Sequence, residues 1–205
     1  TRQSRWASRT SSLPAAAKLV SPSVPSRGGP ISATMAVIGS NPISRAVPSS
    51  KYWPEVVINA AAFTAVDAAE TDEAAAMAAN ADGVASLADL CAARGARLLH
   101  LSTDYVFDGT KDGWYVESDP IAPLGVYGRT KAAGEAAAQA CPAHLILRTS
   151  WVYAAHGNNF VRTMLRIGAE RPEVGVVDDQ IGCPTSARDI AEALLHLSSL
   201  NMNGT

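Results

Sequence analysis

From Pro54 onward the chain alternates short apolar, β-branched runs with helical segments, and this alternation limits the fold more than any other feature. VVINAAA (56–62) is a buried strand running into a loop of small residues. Residues 70–94 are alanine-rich, with Met77, Val84, Leu87 and Leu90 at helical spacing, and Gly95 is placed to stop that helix. ARLLHLST (96–103) and HLILRTS (144–150) are further strands, and YGRTKAAGEAAAQA (127–140) is a helix between them. NNFVRTMLRIGAE (158–170) reads as a helix, EVGVV (173–177) as a strand and ARDIAEALLHLSSL (187–200) as a helix. Alternating units of this kind build a doubly wound parallel sheet of the Rossmann-like α/β class, with ligands at the carboxyl ends of the strands.

Two loops follow strands and carry chemistry: NAAAFT and STDYVFDG. Tyr127 and Lys131 lie four residues apart and share a helix face. An ammonium beside a phenol favours phenolate and lowers its pKa from about 10 toward neutrality. Such a tyrosine exchanges protons with an alcohol or carbonyl oxygen. Thr103 follows a strand and offers a hydroxyl to the same oxygen; its simpler role is to cap a turn. Ser/Thr, Tyr and Lys in this order, on strand, loop and helix, form a proton-transfer site for a carbonyl reduced by hydride.

The blocks VINAAAFTAVDAAE, LLHLSTDYVFDGT, APLGVYGRTKAAGE, LILRTSWVYAAHGNNFVRTML and DDQIGCPTSARDIA carry a wider resemblance. From Pro54 to about Leu200 the chain resembles the extended short-chain dehydrogenase/reductases, and within them the dTDP-4-dehydrorhamnose reductase family. The resemblance implies a core over residues 54–172 and the start of a smaller substrate-binding lobe over 173–205. It implies reduction of a dTDP-4-dehydro-L-rhamnose ketone by NADPH or NADH in the cytoplasm. Tyr127 is then the proton donor, Lys131 holds the nicotinamide ribose, and Thr103 bonds the keto oxygen. Ala61, Ala62, Phe63 and Ser102 line the cofactor, while Asp104, Tyr105 and Trp151 touch the sugar nucleotide. Val66, Asn159, Gln180 and Thr185 are further substrate-side candidates. A homodimer is compatible with the resemblance. Some family members use magnesium, which no residue set here supports.

Alternatives remain at this point. One is another nucleotide-sugar reductase or epimerase of the superfamily. Another is a non-catalytic partner similar to the regulatory subunit of methionine adenosyltransferase, and a last is an inactive fragment.

Residues 1–53 differ from the rest. They hold five Arg and two Lys with no acidic residue, a charge of +7 against -9 for the remainder, and carry 12 serines and 6 of the 12 prolines. SPSVPSRGGP has neither helical nor strand periodicity and reads as irregular or disordered chain. A nicotinamide enzyme of this class needs a strand, a glycine-rich turn and a helix start for the pyrophosphate. MAVIGSNPISRAV (35–47) allows a strand and a turn but has one glycine. The 58 residues before Asn59 match the family's own spacing, which argues against an added transit peptide. The expectation is a shifted reading frame or mis-joined start in place of the phosphate loop. The family also continues past the position of Leu200, so the sequence reads as the middle of an enzyme.

The net charge of -2 excludes an electrostatic case for nucleic-acid binding. No apolar run is long enough to span a membrane. Cys91, Cys141 and Cys183 show no metal-ligand spacing and read as free thiols in a reducing compartment. His100, in an apolar strand, reads as a satisfied core histidine, and His144 and His156 as surface loop residues. Arg148 reads as mostly buried and in need of a charge partner. Asp178 and Asp179 read as a solvated turn, and Asn158 as a helix N-cap. Without the resemblance, Trp151 reads as a core aromatic.

Overall fold

The computed structural model describes residues 35–38, 53–200 and 202–205. Two compact units divide the described chain: one runs to Leu147 and includes Met202–Thr205, and the other is Arg148–Asn201. The division of contacts at Leu147 precedes residue 173, where the sequence places the start of the substrate lobe.

The first unit is built on a four-stranded sheet in the order β1 (Met35–Ile38), β2 (Val56–Asn59), β3 (Arg97–Thr103), β4 (His144–Thr149). β1 runs parallel to β2 with Met35 opposite Val56, and β2 parallel to β3 with Val56 opposite Arg97. MAVI therefore forms the strand that its sequence allows. The turn after it, the glycine and the rest of residues 1–52 lie outside the described residues. All four residues of β2 are buried, as expected of a parallel strand covered on both faces.

The alanine-rich stretch is not one helix. It begins earlier, at α1 (Val66–Thr71), and breaks before α2 (Glu73–Met77). A π-helical turn (Ala78–Asp82) then leads into α3 (Gly83–Arg94). The break is at Asp72, whose φ of -137° leaves the helix while its carboxylate accepts from the Ala75 amide at 3.1 Å. An aspartate competes with the helix for backbone donors in this way, and apolar spacing does not reveal it. Gly95 ends α3 in the left-handed region, at φ 65°, and the Ala96 amide bonds the Cys91 carbonyl at 2.9 Å.

Helix α4 (Val126–Gln139) packs on the π turn, α3 and β3. Its N-terminus is capped from another element: the Glu70 carboxylate on α1 accepts from the Val126 amide at 2.8 Å. The core joins Val57, Leu98 and Ile146 from the sheet to Val84, Leu87, Cys91 and Ala138 from the helices. Alanines at the contacts let helices approach sheet and neighbours closely. Cys91 and Cys141 are buried free thiols, and burial, with Cys141 nearby, pushes the Cys91 thiol up to about 12.

In the second unit, β5 (Val152–Tyr153) pairs parallel with β6 (Thr185–Ser186), beside α5 (Phe160–Glu170) and α6 (Ala187–Ser198). The strand expected over 173–177 is absent: these five residues are exposed and pair with no neighbour among the described residues. Alternating valines satisfy a strand's side-chain pattern, but a strand exists only where another backbone takes its hydrogen bonds. Asn159, rather than Asn158, caps α5, its Oδ1 accepting from the Arg162 amide at 3.1 Å. Asp178 and Asp179 are exposed, as is His156, while His144 is half-buried against the Cys141 carbonyl. Arg148 is half-buried, because only the first part of β4 enters the core.

Candidate active site

Strand β3 delivers Thr103 to its carboxyl end, and the chain turns through a 3-10 turn (Asp104–Val106). Thr103 Oγ1 accepts from the Tyr105 amide at 3.2 Å, so it does cap a turn, and it also donates to Asp104 Oδ1 at 3.1 Å. The Thr103 hydroxyl also lies near enough to the Tyr127 phenol to pull its pKa down. Helix α4 reaches this turn because Gly128 has no side chain: a Cβ there would lie inside 3.0 Å of the Tyr105 carbonyl oxygen. The Tyr105 and Tyr127 rings meet edge to face, 5.4 Å between centroids.

Lys131 follows one turn along α4 and is buried, 2 % exposed. Its Nζ donates to the Leu101 carbonyl at 2.7 Å and faces His100 Nε2 at 3.4 Å. His100 is itself fully buried, as the sequence suggests, and bonds Asn59 on β2 through Nδ1 at 3.1 Å.

The electrostatics correct one expectation. The Tyr127 phenol is raised to about 12, chiefly by burial and further by Asp104 and Tyr105, against the opposing pull of the nearby Thr103 hydroxyl. Lys131 does not depress it. Burial lowers the ammonium itself to about 8, with only Glu135 pulling the other way. A lysine whose own charge is disfavoured is a weak electrostatic partner for a phenolate.

Ala61, Ala62 and Phe63 follow β2 and are half-buried. Three bonds fix their backbone: Ala61 N–H donates to Asn59 Oδ1 at 3.1 Å, Phe63 N–H to Asn80 Oδ1 at 2.8 Å, and Asn80 Nδ2 to the Phe63 carbonyl at 3.2 Å. Asn80 Nδ2 also donates to Thr130 Oγ1 on α4 at 3.0 Å, and Thr130 donates to the Tyr127 carbonyl at 3.0 Å. The π turn puts Asn80 in this position; such turns concentrate at functional sites. Sequence reasoning did not single out Asn59, Asn80 or Thr130. The available signal was polar residues at positions the helical and strand periods bury.

Thus Ala61, Ala62, Phe63, Ser102, Thr103, Asp104, Tyr105, Tyr127 and Lys131 all belong to the first unit, gathered at the ends of β2 and β3 and the start of α4. Ser102 is buried, Asp104 and Tyr105 are half-buried, and Val66 opens α1. Trp151, Asn159, Gln180 and Thr185 belong to the second unit. Trp151 is not a core residue: it is 46% exposed. Its φ of 46° is the one left-handed non-glycine value among the described residues. Its ring covers Gly182, where a Cβ would lie 2.6 Å from Trp151 Cε2, and its carbonyl accepts from the Thr185 amide at 3.3 Å. A strained backbone under an exposed aromatic is a feature of ligand-binding positions. Asn159 Nδ2 donates to the Ala154 carbonyl at 2.8 Å, so both ends of its amide are engaged.

The first group can bond a carbonyl oxygen through two hydroxyls and offer a buried amine to a diol. No group of three or more potential metal-ligating side chains occurs among the described residues, and no described helix is long and apolar enough to cross a membrane.

Residues 34–205 match the family described as RmlD substrate binding domain. The dTDP-4-dehydrorhamnose reductase of Sinorhizobium fredii is 51% identical over 146 residues, 71% of this chain and 49% of the relative. That of Salmonella typhimurium is 48% identical over 165 residues, 80% of this chain and 55% of the relative. A crystal structure of the dTDP-4-dehydrorhamnose reductase of Bacillus anthracis in complex with NADP superposes with a TM-score of 0.72 at 42% identity, over 74% of this chain and 55% of the other. The chain spans about half the length of the curated relatives it matches.

Proposed function

This chain belongs to the RmlD substrate binding domain family, and on that premise we propose that it reduces the C4 ketone of dTDP-4-dehydro-L-rhamnose to give dTDP-L-rhamnose, using NADPH or NADH. The observation that carries the reading is the meeting of Thr103, Tyr127 and Lys131 at the carboxyl end of β3, where ligands bind in parallel sheets.

The donor set fits the nicotinamide end of the cofactor. Ala61 and Ala62 leave room beside the strand end, and Nζ of Lys131 has a donor beyond its Leu101 bond for a ribose hydroxyl. Among the described residues no glycine-rich turn is present for the pyrophosphate end. When bound, the dihydronicotinamide supplies a hydride to the carbonyl carbon.

The chain's own groups manage the oxygen. Thr103 turns its hydroxyl from Asp104 to the keto oxygen, and the Tyr127 phenol bonds the same atom. A phenol held near 12 is fully protonated at neutral pH, which suits a proton donor. The forming alkoxide is far more basic than a phenolate, so the proton moves downhill from Tyr127. In the first unit Asp104 and Tyr105, with Val66 as a weaker candidate, serve the substrate; in the second unit Trp151 does, with Asn159, Gln180 and Thr185 as weaker candidates. Residues 173–205 open the substrate lobe in this reading. The free thiols accord with a reducing cytoplasm.

The test is oxidation of NADPH and of NADH by the 205-residue chain with the ketosugar, alongside Tyr127→Phe. Turnover that falls about a hundredfold or more in the variant supports the reading. Turnover unchanged in Tyr127→Phe, or no cofactor or ketosugar binding by the parent chain, rejects it.

A further inference from the structure

The polar network beneath Lys131 leaves little freedom in where its protons sit. The Ala61 amide is a backbone N–H, which only donates, and it points at one end of the Asn59 carboxamide at 3.1 Å. That end is therefore the oxygen; the reverse amide orientation would set donor against donor. The other end, Nδ2, then faces His100 Nδ1 at 3.1 Å as a donor. His100 Nδ1 must accept. In a neutral imidazole the proton is then on Nε2. Nε2 faces Lys131 Nζ at 3.4 Å.

We infer that Asn59 and His100 are positioning residues that act through Lys131: they hold an imidazole N–H against Nζ and so favour its amine over its ammonium. An ammonium has three donors and no acceptor, so Nε2–H against it is a donor facing a donor in a buried site. An amine has a lone pair. It accepts from Nε2–H while still donating to the Leu101 carbonyl at 2.7 Å.

Other groups around Lys131 can be weighed. Glu135, buried one turn farther along α4, favours the ammonium. Tyr127, one turn earlier, is a neutral phenol below about 12. Asp104 belongs to the 3-10 turn, and Asp67 and Glu70 to α1, where Glu70 is engaged by the Val126 amide. The carboxylates Glu73, Asp82 and Asp89, on α2, the π turn and α3, face solvent. His100 stays neutral well below pH 7, because burial and then Lys131 lower it to about 3. Burial by itself also lowers Lys131, to about 8.

The inference rests on Lys131 as a site residue, but its readout is titration rather than turnover, so a failed reductase assay leaves it standing. The full chain has four histidines and four lysines, few enough for NMR with isotope-labelled side chains. His100→Phe and Lys131→Met assign the two signals. In the native chain, imidazole 15N shifts should put the His100 proton on Nε2. In Asn59→Asp a carboxylate replaces the amide donor, moves the proton to Nδ1 and turns an acceptor on Nζ. The Lys131 midpoint, followed by its 13Cε shift, should rise by about a unit or more. His100→Phe, which removes the opposed N–H without adding charge, should also raise it. A native His100 protonated on Nδ1 overturns the inference, whether or not the variants fold. So does a Lys131 midpoint that stays or falls in a folded variant.

Discussion

Replacing Gly134 by alanine sets two well-characterised effects against each other. In the interior of a helix, Gly→Ala ordinarily stabilises by about 1 kcal/mol, because alanine loses less backbone entropy. Gly134 lies inside α4, so propensity alone predicts a gain. The structure predicts a loss. A Cβ at Gly134 would lie inside 3.0 Å of the Asn80 carbonyl oxygen and 3.2 Å from its carbon. The obstacle is backbone on the π turn, which cannot swing aside like a side chain. Restoring ordinary contact requires α4 and the π turn to part by about 1.5 Å. Overpacking of this kind costs about 1–3 kcal/mol. Parting also strains the Asn80–Thr130 bond of 3.0 Å, a buried hydrogen bond whose loss adds about 1 kcal/mol. The net expectation is about 2 kcal/mol of destabilisation, or roughly 1 M less urea at the midpoint. Urea unfolding followed by circular dichroism measures it. Gly168→Ala in α5 is the control, since nothing lies within 4 Å of its built Cβ and propensity should act alone. If Gly134→Ala is as stable as the parent or more so, the close approach of α4 to the π turn is wrong.

Two more outcomes follow from the same network. Because burial lowers His100 from 6.5 to about 3, the unfolded chain binds a proton that the folded chain refuses between those values. Its contribution to stability is intact above pH 6.5 and lost as pH falls toward 3, by about 3 kcal/mol at pH 4.5; urea midpoints across that range should fall less steeply in His100→Phe, and parallel curves would refute the assignment. Asn80→Ala leaves the Phe63 amide and carbonyl without their partners at 2.8 and 3.2 Å, so amide exchange at Phe63 should accelerate sharply while exchange at Leu98, in the core, changes little; equal protection of Phe63 in parent and variant would show that the loop is held by something else.

The strands and helices of the first unit were legible because burial imposes periods of two and 3.6 on the sequence. Gly95 announced a helix end, and it ends one in the left-handed region. The break at Asp72 and the π turn were not legible, since an aspartate and an extra residue leave the alanine pattern almost unchanged. Val174, Val176 and Val177 misled for the opposite reason: their pattern suits a strand, but pairing depends on chain that lies elsewhere. The Tyr127–Lys131 spacing put the two side chains one turn apart on α4 but did not carry their electrostatics. Spacing reports which side chains share a face, whereas a pKa depends on burial contributed by distant segments. The partners of His100, Asn59 and Asn80 are up to 50 residues apart in sequence, and no local signal marks such pairs.

The order of the sheet also bears on how the protein is made. Each strand after β1 lies beside the one that immediately precedes it in the chain, so the sheet runs β1-β2-β3-β4 in sequence order. As the polypeptide leaves the ribosome, β3 can dock on β2, and β4 on β3, each with its intervening helices already synthesised. Among the described strands of this sheet, none has to wait for a much later one to fill a gap in the middle. The polypeptide can therefore acquire structure progressively during translation, with little time spent as a collapsed chain holding an open slot.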